Sequence, residues 1–204
     1  MSYSQFTLAT VKKTFGLTTS EQRDILAGVS KRECSEHLAE TLLYNVPLAL
    51  SSNSEKARSE MIIAPILIEV KKQLQSHLSL FSGVEFDVDA EKGLTGYCDF
   101  ILSHSSEQLM VTAPVMMLVE GKNENIKGGL GQCIAEMVAA QLFNEREGNK
   151  ISSIYGAITT GTNWKFLKLT GKVVEINLNE YYLTDIEKIL KFLTELPETV
   201  TLES

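Results

Sequence analysis

The chain has 204 residues, 44% of them hydrophobic and 22% charged, which fits one globular domain or one domain with a helical extension. No run approaches the roughly 20 apolar residues of a membrane span, and the start MSYSQFTLATVKK lacks the basic stretch, apolar run and cleavage site of a secretory signal, so a cytoplasmic protein without a membrane partner is expected. The formal net charge of -7, with 19 Lys and Arg against 26 Asp and Glu, leaves no basic stripe of the kind a strong general nucleic-acid binder carries.

In chain order, Phe6, Leu8, Val11 and Phe15 follow helical spacing up to a stop at Gly16. Thr19 or Ser20 can cap a second helix, SEQRDILAGV, and Ser35 a third, EHLAETLLYN. Ser54 is placed to cap the stretch that runs through MIIAPILIEV, with Pro65 kinking it or marking its start. After Leu80 the period changes to that of strands. Val84 to Val88 alternates, and GYCDFILS alternates again, with Cys98, Phe100 and Leu102 on one face and Tyr97, Asp99 and Ile101 on the other. Met110 to Val119 is apolar on both faces and is expected to be a central strand. GGLGQCIAEMVAAQLFNERE predicts a long helix, IYGAITT and WKFLKL a hairpin around Gly161, KVVEINL a further strand, and LTDIEKILKFLTEL a closing amphipathic helix. The expected class is α/β, a mixed sheet flanked by helices, with residues 1–53 as an N-terminal helical extension and 54–204 as the main domain.

Cys34, Cys98 and Cys133 form no CxxC pair, and His37, His77 and His104 are isolated, so neither a disulfide framework nor a zinc site is indicated. The informative charges lie elsewhere. Asp99 sits inside an apolar strand, although Asp is depleted from strands. Glu120 and Lys122 follow five apolar residues and, two apart on a strand, point to the same side. Buried unpaired carboxylates cost several kcal/mol, so a bound cation that satisfies both acids is a natural partner. Mg2+ accepts one or two carboxylates together with waters and phosphate oxygens. Lys122 could then position a water or stabilise charge that develops at phosphorus. A plain strand-end salt bridge competes with this reading. The chain contains a second Glu-x-Lys, Glu69-Val70-Lys71, expected on a helix as solvated surface.

The pattern Asp99 followed by Glu120-x-Lys122 resembles the PD-(D/E)XK phosphodiesterase superfamily, of restriction-endonuclease-like fold. The resemblance covers about residues 54 to 170. It includes Glu60 in the preceding helix, Gln132 in the first turn of the next helix, and GAITTGTNWKFL, similar to a T-x-G-x-x-W-x-F strand-turn-strand. The chain also resembles a family of uncharacterised cyanobacterial proteins that share a helix of the AEMVAAQLFNEREG type. Two positions depart from the superfamily pattern: Glu136 stands where many members have Tyr, and Cys98 precedes Asp99 where many have Pro. The resemblance implies a nuclease using Mg2+ or Mn2+, with nucleic acid, DNA ahead of RNA, as partner. It implies Asp99, Glu120 and Glu60 as metal ligands and Lys122 and Gln132 as further catalytic residues.

KGGLGQ lies where a phosphate cradle would be but lacks the spacing of a nucleotide-binding loop, although a helix N-terminus so placed could help hold a phosphate. Trp164 is expected as a core anchor rather than a base-stacking platform. The alternative to an enzyme is a non-catalytic interaction module that keeps the fold. Residues 1 to 50 carry no readable chemistry and could pack on the sheet, form a homodimer interface or contact a partner protein.

Overall fold

The computed structural model describes residues 1–21, 24–26, 28, 30–74, 78–149 and 151–199. In chain order they form α1 (Leu8–Phe15), β1 (Thr18–Ser20), α2 (Glu36–Ser52), α3 (Glu55–Arg58), a π-helical stretch Ser59–Ile63, and α4 (Ala64–Leu74). There follow β2 (Ser79–Glu85), β3 (Tyr97–Ser103), β4 (Val115–Gly121), α5 (Leu130–Arg146), β5 (Ile154–Thr159), β6 (Asn163–Thr170), β7 (Val173–Ile176), β8 (Tyr181–Tyr182) and α6 (Ile186–Thr199).

Local chemistry accounts for most boundaries. The Thr7 hydroxyl caps Thr10 N–H at the start of α1, and Gly16 ends it in the left-handed conformation at φ 64°. Ser35 and Ser54 cap α2 and α3 through Leu38 and Ala57 N–H, as predicted. Pro65 is the second residue of α4, which continues directly from the π-helical stretch, so its missing N–H leaves a carbonyl of that stretch to find another donor. The Met61 carbonyl four residues earlier accepts instead from Asn45 Nδ2 at 2.9 Å, which locks α2 to this bend.

Three boundaries differ from expectation. Thr18–Ser20 is not a helix cap but an edge strand, paired in parallel with β7, because an open strand edge outcompetes weak helical signals. Part of the predicted helix that follows lies outside the described residues, and its described members form turns or irregular backbone. β4 begins at Val115 rather than Met110, since Pro114 has no N–H to give a ladder, and it continues through Gly121 by pairing with Thr159. β2 lies at Ser79–Glu85 rather than Val84–Val88; past its end the hairpin is kept by Phe86 N–H on Gly96 O and Val88 N–H on Leu94 O.

The strands make one mixed α/β sheet in the order β1-β7-β6-β5-β4-β3-β2, with β8 on the Asn163–Trp164 end of β6. β4 and β5 are parallel, joined by the crossover through α5, and β5 and β6 form the hairpin at Gly161 (φ 83°). Helices cover both faces. Phe100, Val119, Ala157, Trp164 and Phe166 pack in one core with residues of α2, α4 and α6. Ile101, Leu118, Ile158 and Leu167 pack in the other with α1 and α5. β4 is buried at every position, as its two-sided apolar sequence required. The alternation in β3 holds for Phe100 and Leu102 against Ile101, whereas Cys98 joins the α5-side core with Tyr3.

Residues 1–53, expected as a helical extension that could pack on the sheet, contribute to both cores. They supply the edge strand β1, Tyr3, Phe6 and Val11 to one core, and Leu38, Leu42 and Ala49 to the other. Gly131 in α5 faces the Phe6 carbonyl and Thr7 backbone with no room for a Cβ, so the chain start is seated directly on the helix.

Candidate functional site

The site grows from the register of β3 and β4. Ile101 faces Leu118 and Phe100 faces Val119, so one further step sets Asp99 beside Glu120. Residues two apart share a face, which puts Glu120 on the side of Leu118, under α5; the alternation of β3 breaks at Asp99, whose carboxylate turns to the Gly121 backbone near Ile63. Asp99 Oδ2 accepts the Gly121 N–H at 2.7 Å. A Cβ at Gly121 would lie 3.2 Å from that oxygen and 3.4 Å from Ile63 Cδ1, so a side chain there would force a neighbour to give by a few tenths of an ångström.

Lys122 leaves the strand with its N–H on Thr159 O at 2.8 Å and folds its amine back to Glu120 Oε1 at 2.5 Å. The amine also reaches Gln132 Oε1 at 3.4 Å, and Gln132 Nε2 donates to Glu136 Oε1 at 3.1 Å. Gln132 and Glu136 are one helical turn apart, so the same face of α5 carries both. Four side chains thus run from strand end to helix: Glu120, Lys122, Gln132, Glu136. Gly129 leaves room for the Lys122 stem, since a Cβ there would sit 3.2 Å from Lys122 Cε.

Glu120 is 1% exposed and Glu136 is 0% exposed. Each has one buried oxygen, Oε2, without a hydrogen-bond partner among the described residues. Burial, then the charge of Asp99, pushes Glu120 up to about 7 against the pull of Lys122. Burial, then the charge of Glu120, holds Glu136 well above the ordinary carboxylate range. Asp99 is raised by burial, opposed by the Gly121 N–H and by Lys122. For Lys122 burial acts downward, but the adjacent Glu120 outweighs it and the amine is held above its usual value. The result is a cluster of carboxyl groups that burial and mutual repulsion bias toward holding protons, with the Lys122 ammonium among them.

The structure brings together Asp99, Glu120, Lys122 and Gln132. Glu60 is not among them. It lies on the π-helical stretch, its side chain 59% exposed and paired with Lys56 Nζ at 2.9 Å. The charge from this helix that acts on Asp99, Glu120 and Lys122 is that of Glu55. Among the described residues no three His, Cys, Asp or Glu side chains are grouped so as to hold a metal. The ligand set Asp99, Glu120 and Glu60 is therefore not assembled, and two acids remain.

The other candidates have structural roles. Trp164 is 0% exposed and donates Nε1–H to Gly161 O at 3.1 Å, a core anchor. KGGLGQ forms a short 3-10 turn into α5, held by Asn125 Oδ1 on Gly128 N–H at 2.9 Å. Burial raises the Cys98 and Cys133 thiols, so neither is a ready nucleophile. His37 lines a groove with α4 residues, and His77 lies outside the described residues. Glu136 and Glu55 were not chosen from sequence. Glu136 had a usable signal, its place four residues after Gln132; Glu55 had none beyond being one acid of several on its helix.

No protein-family model matches the chain, and a search of curated proteins finds no significant match.

Proposed function

We propose that the protein is a metal-dependent nuclease-like phosphodiesterase of PD-(D/E)XK type, acting on nucleic acid and on DNA ahead of RNA. The observation that carries this reading is the Glu120 carboxylate, buried beside Asp99 with one oxygen that has no partner among the described residues. Such an oxygen is costly unless something of positive charge completes it. Two carboxylates suit Mg2+ or Mn2+, which take one or two acids and fill the rest of their shell with water and phosphate oxygens. Asp99 and Glu120 would hold the ion; when bound it supplies positive charge against the phosphate and makes a water more acidic.

The chain's own residues do the rest. The Lys122 ammonium, kept protonated by Glu120, can donate to a non-bridging phosphate oxygen or orient the attacking water. Gln132 holds that amine from the other side and Glu136 holds Gln132, so the donor is fixed before substrate arrives. Gly121 N–H fixes Asp99.

One observation favours a second reading, a non-catalytic interaction module: Lys122 already neutralises one oxygen of Glu120, so the pair can stand as a buried salt bridge. The deciding experiment incubates the protein with single- and double-stranded DNA and RNA, in Mg2+ or Mn2+ and in EDTA. The enzyme reading expects cleavage that needs the ion and disappears in Glu120→Gln. Calorimetric titration with Mn2+ tests the ion separately, and binding unchanged in Asp99→Asn would overturn its assignment.

A further inference from the structure

Arg58, the last residue of α3, is 8% exposed and pairs with no carboxylate among the described residues. Its Nε donates to Asn123 Oδ1 at 3.0 Å and its Nη1 to the Thr160 carbonyl at 3.0 Å. Both acceptors are neutral, and Nη2 has no acceptor among the described residues. Burying a cation without an anion is costly, and arginine cannot escape the cost by losing its proton. As a strut between α3 and the strand ends, a neutral donor would serve as well.

What the guanidinium faces supplies the reason. Arg58 lines an open recess of about 430 Å³ together with Asn123, Asn125, Lys127, Thr160 and Thr162. Asn123 follows Lys122 directly, and Thr160 follows Thr159, whose carbonyl holds the Lys122 N–H. The recess thus adjoins the Glu120 site. Its wall offers a second cation, Lys127, and two hydroxyls, Thr160 Oγ1 and Thr162 Oγ1, 3.1 Å apart. Two acids, Glu124 and Glu180, also line it; like Lys127 they are exposed, where water screens their charge, whereas Arg58 is buried. The buried charge of the recess is therefore positive.

Resting on the function proposed above, we infer that this recess binds a phosphate of the nucleic-acid strand next to the one presented to Glu120. A guanidinium with two neutral contacts and a free N–H edge is suited to phosphate oxygens in fork geometry. Lys127 adds a point charge, and the threonine hydroxyls can donate to the same group. The subsite answers a difficulty raised by the acidic chain: local rather than overall positive charge would seat the strand.

The test is fluorescence anisotropy with a short fluorescein-labelled single-stranded DNA in EDTA at low salt, so that binding is read without cleavage. Arg58→Gln is expected to weaken binding roughly tenfold, and Lys127→Gln about threefold with a salt dependence shallower by about one counterion. Glu180→Gln is expected to tighten it. Should Arg58→Gln fail to fold by circular dichroism, the exposed positions Lys127 and Glu180 decide alone. Unchanged affinity in folded Arg58→Gln and Lys127→Gln, or in Lys127→Gln and Glu180→Gln, overturns the subsite. If DNA does not bind but inorganic phosphate shifts the Arg58 Nε–H resonance, the strand is overturned as occupant and a free phosphate takes its place. Glu120→Gln separates the two inferences. DNA binding that depends on Arg58 without any Glu120-dependent cleavage keeps the subsite and removes the hydrolase, and the reverse pattern does the opposite.

Discussion

Glu-x-Lys occurs twice in this chain, once in α4 as Glu69-Val70-Lys71 and once at the end of β4 as Glu120-Gly121-Lys122. Both glutamates are buried, at 5% and 1% exposure, which corrects the expectation that Glu69 is solvated surface. The difference lies in the backbone between the charges. On a helix, residues two apart point about 200° apart, so Glu69 takes Gln73 Nε2 at 2.9 Å while Lys71 turns to the Leu78 carbonyl at 2.7 Å. On a strand they share a side, and Lys122 meets Glu120 at 2.5 Å with Asp99 alongside. The same spacing dissolves into two local hydrogen bonds in one place and concentrates charge in the other.

The largest expected contrast is in activity. Glu120→Gln should lower divalent-dependent cleavage by about a thousandfold, and Lys122→Met by about a hundredfold, while Glu69→Gln and Lys71→Met leave the rate of a gel cleavage assay unchanged. Lys122→Met should also destabilise, by about 3 kcal/mol in urea melts above neutral pH, because it strands a buried carboxylate. That loss should shrink as pH falls and Glu120 takes up a proton. A melt with no pH dependence would show that Glu120 is not ionised in the native protein.

Next in size is Gly121→Ala, whose methyl group crowds Asp99 Oδ2 and Ile63 Cδ1. It should weaken Mn2+ binding and cut cleavage by about tenfold; Val70→Ala, at the middle position of the helical copy, should lose stability, by about 1–2 kcal/mol, without touching the rate.

Glu136 sharpens the comparison through pH. Its folded-state proton affinity is raised by burial. Between the ordinary glutamate value of 4.5 and that raised value the native state binds more protons than the unfolded chain. Its favourable contribution is therefore complete below about 4.5 and is lost as pH rises. Glu136→Gln, which keeps the shape of the protonated acid, should flatten this decline and raise the melting temperature at pH 8 by several degrees relative to pH 5. The smallest effect belongs to Glu60→Gln, which removes an exposed ion pair worth less than about 1 kcal/mol. Loss of cleavage there would contradict the outward placement of Glu60.

Asp99, Glu120 and Lys122 were legible because each departs from what its local element wants: a carboxylate in an apolar strand and a charged pair at the end of one are visible without coordinates. Gln132, an ordinary helix residue, was legible only through the resemblance to a family that places a Gln in that turn. Glu60 was misplaced for a physical reason: proximity to an apolar run does not set rotation about a helix axis, and the π-helical stretch before Pro65 is not written as a pattern. Arg58 carried no signal, since a basic residue ending a short helix is ordinarily solvated. Its burial follows from the Asn123 and Thr160 contacts, 65 and 102 residues away in the chain.

Local physics by itself determined the caps at Ser35 and Ser54, the stop at Gly16, the central strand, the crossover helix, the hairpin at Gly161 and the shared side of Glu120 and Lys122. These depend on periodicity and on groups a few residues apart. Tertiary structure decided that Thr18–Ser20 is an edge strand, that Tyr181–Tyr182 joins β6, that Glu55 rather than Glu60 is felt at the site, and that Arg58 opens on a recess. Each of those depends on contacts between residues distant in sequence, whose energy is gained only once the sheet has closed.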